Sequence, residues 1–123
     1  MGESELIAKI TEELLGAQKI LETEYSFDLA EPNYVRCLQL IKKSPDQQPI
    51  IEAVLIDLFD KKKIGDEPLA YLMHYLRWPG VRDWVESRLR ETTNAIAFGA
   101  SYEKILNAYE EDWENLEFYK GFE

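Results

Sequence analysis

Residues 66–91 read DEPLAYLMHYLRWPGVRDWVESRLRE, and the clearest helical pattern of the chain lies in this run. Asp66 is the expected N-cap of a helix, and Glu67 and Pro68 stand in its first turn, where acids and proline are favoured. The apolar residues that follow recur at steps of three and four: Leu69, Leu72, Met73 and Leu76. A Pro-Gly pair at 79–80 interrupts this line, and a second line of apolar residues then begins: Val81, Val85, Leu89 and Ile96. The run therefore predicts two helices joined by a tight turn.

Similar spacing on either side of this run predicts four further helices. Their expected ranges are about 4–23, 32–43, 49–60 and 101–116. Ser4 and Ser101 are the expected N-caps, and Pro32 and Pro49 suit the first turns of the second and third helices. No alternating pattern of comparable length indicates a strand. The chain is therefore predicted to be all-α, with about six helices that short links place antiparallel and side by side.

Within residues 69–89 the apolar and turn positions resemble one repeat of the HEAT type. The positions that carry the resemblance are Leu69, Leu72, Leu76, Pro79, Val81, Arg82, Val85 and Leu89. In that family a first helix ends at a tight turn that contains proline, and a Val-Arg pair opens the second helix. The resemblance implies that the six helices form a compact bundle or a short HEAT-like helical stack, a fold that usually binds other proteins and rarely catalyses.

Length and composition suit a folded protein of the cell interior. The 123 residues, 46% of them hydrophobic, favour a single α-helical domain that spans 1–123. Cys37 stands alone, so no internal disulfide can form, and the first residues lack the basic and apolar regions of a secretory signal. We therefore expect a cytoplasmic location. The longest apolar runs are far shorter than the ~20 residues that cross a bilayer, which argues against a membrane protein.

The net charge of −10 lies almost entirely in the two ends of the chain. Residues 1–31 carry eight acids and two bases, and residues 101–123 carry seven acids and two bases. Such a chain repels phosphate backbones and anionic lipid heads, so nucleic-acid and membrane binding are not expected. The lysines at 61–63 stand at a predicted helix end, where the helix dipole favours cations. A basic protein partner suits this charge better.

Few residues could carry chemistry. His74 is the only histidine and has no second ligand at helical spacing, and the apolar neighbours of Cys37 favour a buried thiol. No glycine-rich loop that could cradle a phosphate is present in the sequence. We therefore expect no enzyme activity, no cofactor and no bound metal, and an enzyme with a site in the bundle core is the least favoured alternative.

The last predicted helix carries the most informative surface. The proposed partner contacts are Glu103, Tyr109, Glu110, Glu111, Trp113, Glu114 and Glu117. Four of these glutamates fall within about 60° on a helical wheel, and the late acids oppose the helix dipole at a cost of roughly a few tenths of a kcal/mol. Three explanations of these acids are open. The chain's own lysines 61–63 and Arg77 neutralise them, they serve solubility, or they bind a cationic partner. Trp113 and Phe118 are expected in the core.

Size, charge and helicity resemble those of small acidic bacterial immunity proteins. The resulting hypothesis is a protein-binding protein, most concretely an immunity- or antitoxin-like inhibitor of a basic effector such as a nuclease toxin. The alternative is a HEAT-like adaptor or scaffold with no inhibitory role, which would bind through its third to fifth helices with little dependence on salt. Nothing in the sequence indicates an oligomeric state.

Overall fold

The computed structural model describes residues 2–92 and 99–122, and every regular element in these ranges is helical. The six α-helices are α1 (Glu3–Glu24), α2 (Phe27–Lys42), α3 (Gln48–Asp60), α4 (Asp66–Leu76), α5 (Pro79–Glu91) and α6 (Ala100–Asn107). Two 3₁₀ helices, Pro45–Gln47 and Glu114–Phe118, precede α3 and follow α6. The all-α prediction is confirmed for these residues, whereas the predicted position of Ile96 on the fifth helix lies outside them. No helix in the two ranges has the length and apolar composition required to cross a membrane.

Apolar side chains from all six helices form one buried cluster. In α1, three residues at helical spacing are fully buried in this cluster: Ile10, Leu14 and Ala17. α4 is the most enclosed helix, because each residue from Glu67 to His74 is buried. A helix that is buried on all sides has no solvated face, so Glu67 and His74 need polar partners inside the protein.

The helices pack in two ways. α1 packs along α2, and Tyr25 and Ser26 form the link between them. α4 and α5 are joined only by Arg77 and Trp78, yet each packs more extensively on α6 than on the other. α3 packs mainly against α5. The expectation that successive helices lie side by side therefore does not hold for α4 and α5, because α6 covers both.

Among residues 2–92 and 99–122, three non-glycine residues have left-handed backbone, and each lies just after a helix. The φ angles are 53° at Tyr25, 61° at Lys62 and 51° at Arg77. Tyr25 and Arg77 are the C-caps of α1 and α4, a position where a left-handed residue ends the helix and turns the chain. Glycine is the usual residue at such a cap, so the side chains found here are placed at an energetic cost.

The start of α2 differs from the prediction. The helix begins at Phe27, five residues before the expected start at Pro32. Ser26 is the reason, because its Oγ accepts a hydrogen bond from the backbone N–H of Leu29 at 3.3 Å and caps the helix. Residues before Pro32 thereby join α2, and this extension brings Glu31 into the helical part of the protein.

Candidate functional site

The five glutamates of the predicted binding surface lie on three consecutive pieces of chain instead of one helix. They are Glu103 on α6, Glu110 and Glu111 in the turn after it, and Glu114 and Glu117 on the second 3₁₀ helix. The prediction of a helix that extends to Leu116 is wrong beyond Asn107, where α6 ends. The 100° spacing that aligned the acids on one helical face therefore does not apply to them. We call these five glutamates the acidic surface.

The end of α6 has a local cause. The backbone N–H groups of Ala108 and Tyr109 bond to carbonyls three residues back, which tightens the last turn. The carbonyl of Ala108 accepts a hydrogen bond from Nδ1 of His74 at 2.8 Å. This carbonyl is therefore bonded to a side chain of α4 instead of to the backbone N–H of a further helical turn. Acids at 110–112 also oppose the negative end of the helix dipole. The chain consequently leaves the helix before the acids begin.

The carboxylates of the acidic surface face solvent, and no partner for them occurs in the part of the chain that the structure describes. All five side chains are exposed, and none lies within 4.0 Å of a lysine or arginine nitrogen in residues 2–92 and 99–122. Lys61 pairs with Asp57 at 3.2 Å, and Nε of Arg77 donates to the carbonyl oxygen of His74 at 3.3 Å. Of the explanations left open by the sequence, neutralisation by the chain's own bases is therefore not observed.

The two aromatic residues expected at this surface pack inward. Trp113 is 6% exposed, and its ring stacks on that of Tyr119 with 5.9 Å between centroids. Tyr109 is half-buried and donates its hydroxyl to the carbonyl oxygen of Trp78 at 2.8 Å. The expectation for Trp113 in the core is confirmed. Phe118, also expected there, is instead exposed, because Tyr119 takes the inward position at this point of the chain.

Residues 114–122, called here the C-terminal segment, lie against α2 and α4 and are held by two buried carboxylates. Glu31 on α2 is 4% exposed. It accepts hydrogen bonds from the backbone N–H groups of Lys120 at 2.8 Å and Gly121 at 3.0 Å, and from the hydroxyl of Tyr71 at 2.6 Å. The chain at 120–121 has left the 3₁₀ helix, so this carboxylate supplies the acceptors that a helix would supply itself.

Glu67, the second residue of α4, holds the other end of the C-terminal segment. Its carboxylate accepts hydrogen bonds from the hydroxyl of Tyr119 at 2.6 Å and from Nδ2 of Asn115 at 2.8 Å. Burial raises the pKa of Glu67 above its ordinary value, and the two hydrogen bonds only partly offset this. We call the carboxylates of Glu31 and Glu67 the carboxylate clamp.

Tyrosine rings fill the space beside the clamp. The ring centroid of Tyr71 lies 4.8 Å from that of Tyr34 and 4.7 Å from that of Tyr119. Burial raises the pKa of all three phenols, and the negative charge of Glu31 or Glu67 adds to the effect. The three phenols therefore stay protonated and are able to donate. The hydroxyl of Tyr34 nevertheless has no hydrogen-bond partner among the residues described.

Sequence reasoning did not identify the clamp. Glu67 fits the first turn of a helix, where acids are common, and Glu31 precedes Pro32, which suggested a position outside any helix. One signal was present for Glu67, because the residues after it are apolar on every face of the predicted helix. A carboxylate at the start of such a helix must find donors inside the protein.

Two residues considered for chemistry are held in structural positions. His74 binds the Ala108 carbonyl and packs against Trp113, with 5.1 Å between ring centroids. Cys37 is fully buried, and burial raises its pKa to about 12, so its thiol is protonated at neutral pH. Within residues 2–92 and 99–122, no group of three or more His, Cys, Asp or Glu side chains is placed to hold a metal ion. No protein-family model, curated protein or solved structure matches this chain.

Proposed function

We propose that this chain is a small acidic cytoplasmic protein that binds a basic protein through the acidic surface. In its most concrete form, the proposal is an immunity- or antitoxin-like inhibitor of a basic effector such as a nuclease toxin. One observation carries it: the five glutamates are exposed, and none forms a salt bridge within the part of the chain that the structure describes. The buried free thiol of Cys37 suits the proposed reducing compartment.

Unpaired surface carboxylates favour association more than they favour folding. A net charge of −10 raises the free energy of the folded protein through repulsion among its own charges, and a cationic partner reduces this repulsion. An enzyme that degrades nucleic acid presents a cationic surface to its polyanionic substrate. An acidic inhibitor matches that surface, and the attraction speeds association at low ionic strength.

Trp113 and Tyr109 have a supporting part in this proposal. The buried ring of Trp113 fixes the chain between Glu111 and Glu114, and the hydroxyl of Tyr109 fixes the turn that carries Glu110. We expect both aromatic residues to act at the edge of the interface, by positioning the glutamates that the partner contacts.

The alternative is a single domain of antiparallel helices that forms a HEAT-like adaptor without an inhibitory role. The two-residue link between α4 and α5 resembles the tight turn of a HEAT repeat, but the packing of both helices on α6 counts against a stack of such pairs. An apolar groove between α1 and α3, lined by Ile7, Ile50 and Val54, favours adaptor binding at that face. Binding there would depend on apolar contact and would change little with salt.

A charge-matched pair of variants tests the proposal. The protein captured by the wild-type chain from its native cell at low salt is purified, and its binding to each variant is measured. Glu110→Gln, Glu114→Gln and Glu117→Gln together should slow association by about tenfold or more at low salt, because steering depends on local charge. The control combines Glu3→Gln, Glu12→Gln and Asp46→Asn, which are exposed acids elsewhere with the same change in net charge.

The two variants separate local from global charge. Slower association of the first variant alone, with a loss of the difference at high salt, supports the acidic surface. Equal effects of both variants would mean that net charge alone matters. Full binding by both variants, with loss on substitution of Ile50 and Val54, would replace the proposal by the adaptor.

A further inference from the structure

An exposed apolar patch lies where the α1–α2 link meets the C-terminal segment. Tyr25, Leu29 and Phe118 are 88%, 52% and 49% exposed, the highest values among the large apolar side chains in the described ranges. Half-buried Phe27 joins them, because its ring meets that of Phe118 edge to face with 5.5 Å between centroids. These four residues are called here the aromatic patch. Such a cluster of exposed apolar side chains typically marks a binding surface.

The aromatic patch continues into two adjacent depressions. Tyr25 and Phe27 line a cleft of about 430 Å³ together with Asn115. Leu29 lines a neighbouring groove with Lys120 and Gly121. The cleft lies among the end of α1, the start of α2 and the start of α4, and Lys104 also lines it. The groove lies between α2 and the C-terminal segment. A partner side chain that enters the cleft would contact Tyr25 and Phe27.

Tyr25 is placed there at a cost to folding. Its φ of 53° is a left-handed conformation that disfavours any side chain and that glycine adopts freely. A buried aromatic ring would compensate by packing, but this ring is almost fully exposed. An exposed aromatic side chain that the fold does not use points to contact with another molecule.

Carboxylates border the aromatic patch. Glu24 precedes Tyr25, Asp28 lies between Phe27 and Leu29, and Glu117 precedes Phe118. All three carboxylates are exposed, and none takes part in a salt bridge among the residues described. Three bases line the two depressions: Lys104, Arg36 and Lys120. The acids of the lining and the border outnumber them by six to three: Glu24, Asp28, Glu31, Asp66, Glu67 and Glu117. The border therefore favours a cationic partner.

We propose that the aromatic patch anchors a basic segment of another protein, in which one aliphatic or aromatic side chain is flanked by lysine or arginine. The inference rests on the proposed function, because Glu117 belongs both to the acidic surface and to the border of the patch. A second copy of this chain fits poorly, since a symmetric contact would bring Glu24, Asp28 and Glu117 of both copies together. The apolar side chain supplies the anchor, and the flanking cations pair with the border.

Three synthetic peptides of about 14 residues test the inference by titration into the ¹⁵N-labelled chain, with backbone amide shifts as the readout. The first places lysine and leucine on opposite faces of a helix, the second replaces each leucine by serine, and the third replaces each lysine by glutamate. The lysine–leucine peptide should bind about tenfold more tightly than the lysine–serine peptide. Its shifts should centre on residues 24–29 and 114–120, and the glutamate–leucine peptide should not bind.

Variants of the patch keep the test independent of folding. Tyr25→Gly relieves the left-handed strain, so urea unfolding should show a chain at least as stable as wild type. Tyr25→Gly should weaken binding of the lysine–leucine peptide by about tenfold and leave binding of the lysine–serine peptide unchanged. Leu29→Ser should act in the same direction. The matched control is Leu15→Ser, because Leu15 is an exposed leucine of α1 outside the patch and its substitution should change neither affinity.

The outcomes distinguish this inference from the proposed function. Equal affinity for the lysine–leucine and lysine–serine peptides, with shifts at residues 103–117, would overturn the anchor and leave the acidic surface intact. Failure of both cationic peptides to bind would count against both. A dimer in sedimentation that Tyr25→Gly dissociates would overturn the inference in favour of a second copy. Binding at the patch that is insensitive to Tyr25→Gly and Leu29→Ser would overturn it as well.

Discussion

The N-terminal helix pair and the C-terminal segment are stabilised by different interactions. α1 and α2 pack along each other through apolar stripes, and Leu14 is among the side chains removed completely from solvent. The C-terminal segment has no α-helix, and the carboxylates of Glu31 and Glu67 bind its backbone and side chains. The stability of the α1–α2 pair depends on buried apolar area, whereas that of the C-terminal segment depends on a few hydrogen-bonding atoms at fixed positions.

The contrast follows from how each region satisfies its backbone. A helix bonds its own N–H and carbonyl groups, so its packing face needs only apolar area. Irregular chain that lies against the core must find acceptors elsewhere, and a buried carboxylate with several donors is a strong one. Loss of area weakens a structure by degrees, whereas loss of one acceptor leaves several donors unsatisfied at once. The acids at 114 and 117 are therefore positioned by the clamp.

Glu31→Ala is expected to have the largest effect. It removes the acceptor of Lys120 N–H, Gly121 N–H and the Tyr71 hydroxyl, and unsatisfied buried donors of this kind cost roughly 3 kcal/mol together. Urea unfolding should show this loss. Hydrogen exchange should show that amides of residues 114–122 lose protection far more than those of α1 and α2.

Leu14→Ala is the comparison for this variant. It leaves a cavity between α1 and the core and costs about 3 kcal/mol, a loss similar to that expected for Glu31→Ala. Exchange should then accelerate in α1 and α2, with no selective change in the C-terminal segment. If Glu31→Ala accelerated exchange equally throughout the protein, the clamp would be part of the common core and the contrast between the regions would fail.

The sequence predicts the apolar-stripe region well and the clamped region poorly. The spacing of Ile10, Leu14 and Ala17 identifies the buried face of α1, because repetition every three or four residues has one physical explanation. The end of α6 at Asn107 depends on a hydrogen bond from His74 to the carbonyl of Ala108, 34 residues away in sequence, and no local pattern predicts this bond. Glu31 and Glu67 likewise become anchors only when donors of the C-terminal segment reach them. Long-range polar contacts leave no periodic signal in the sequence.

Tyr71 and Tyr34, whose rings are in contact, test the comparison through effects on stability of intermediate size. Tyr71→Phe should destabilise by roughly 2 kcal/mol, because the Tyr71 hydroxyl donates to the carboxylate of Glu31. Tyr34→Phe should stabilise by about 1 kcal/mol, because it removes a buried hydroxyl without a partner among the described residues. Urea unfolding of both variants measures the difference. Equal destabilisation would mean that the Tyr34 hydroxyl is hydrogen-bonded in solution.

Glu67→Gln should change the free energy of unfolding least, and the change relative to wild type should depend on pH. Because burial raises the folded pKa of Glu67 above its ordinary value of 4.5, the folded protein holds a proton that the unfolded chain has released. The stability that this group contributes is therefore fully present below pH 4.5, and it is lost as pH rises through the raised folded pKa. Glutamine does not titrate, so the free energy of unfolding of Glu67→Gln should improve relative to wild type from pH 4.5 to pH 7.

The difference in unfolding free energy between wild type and Glu67→Gln isolates Glu67, because the other carboxylates are present in both proteins and their contributions cancel. Glu67→Ala should show the same change with pH but lie lower throughout, since alanine leaves Tyr119 and Asn115 without an acceptor. The opposite trend, with glutamine relatively better at acidic pH, would mean that those two hydrogen bonds outweigh burial. Glu67 would then stabilise the protein most when ionised, and acid would weaken its two hydrogen bonds to the C-terminal segment while the apolar contact of α1 with α2 persisted.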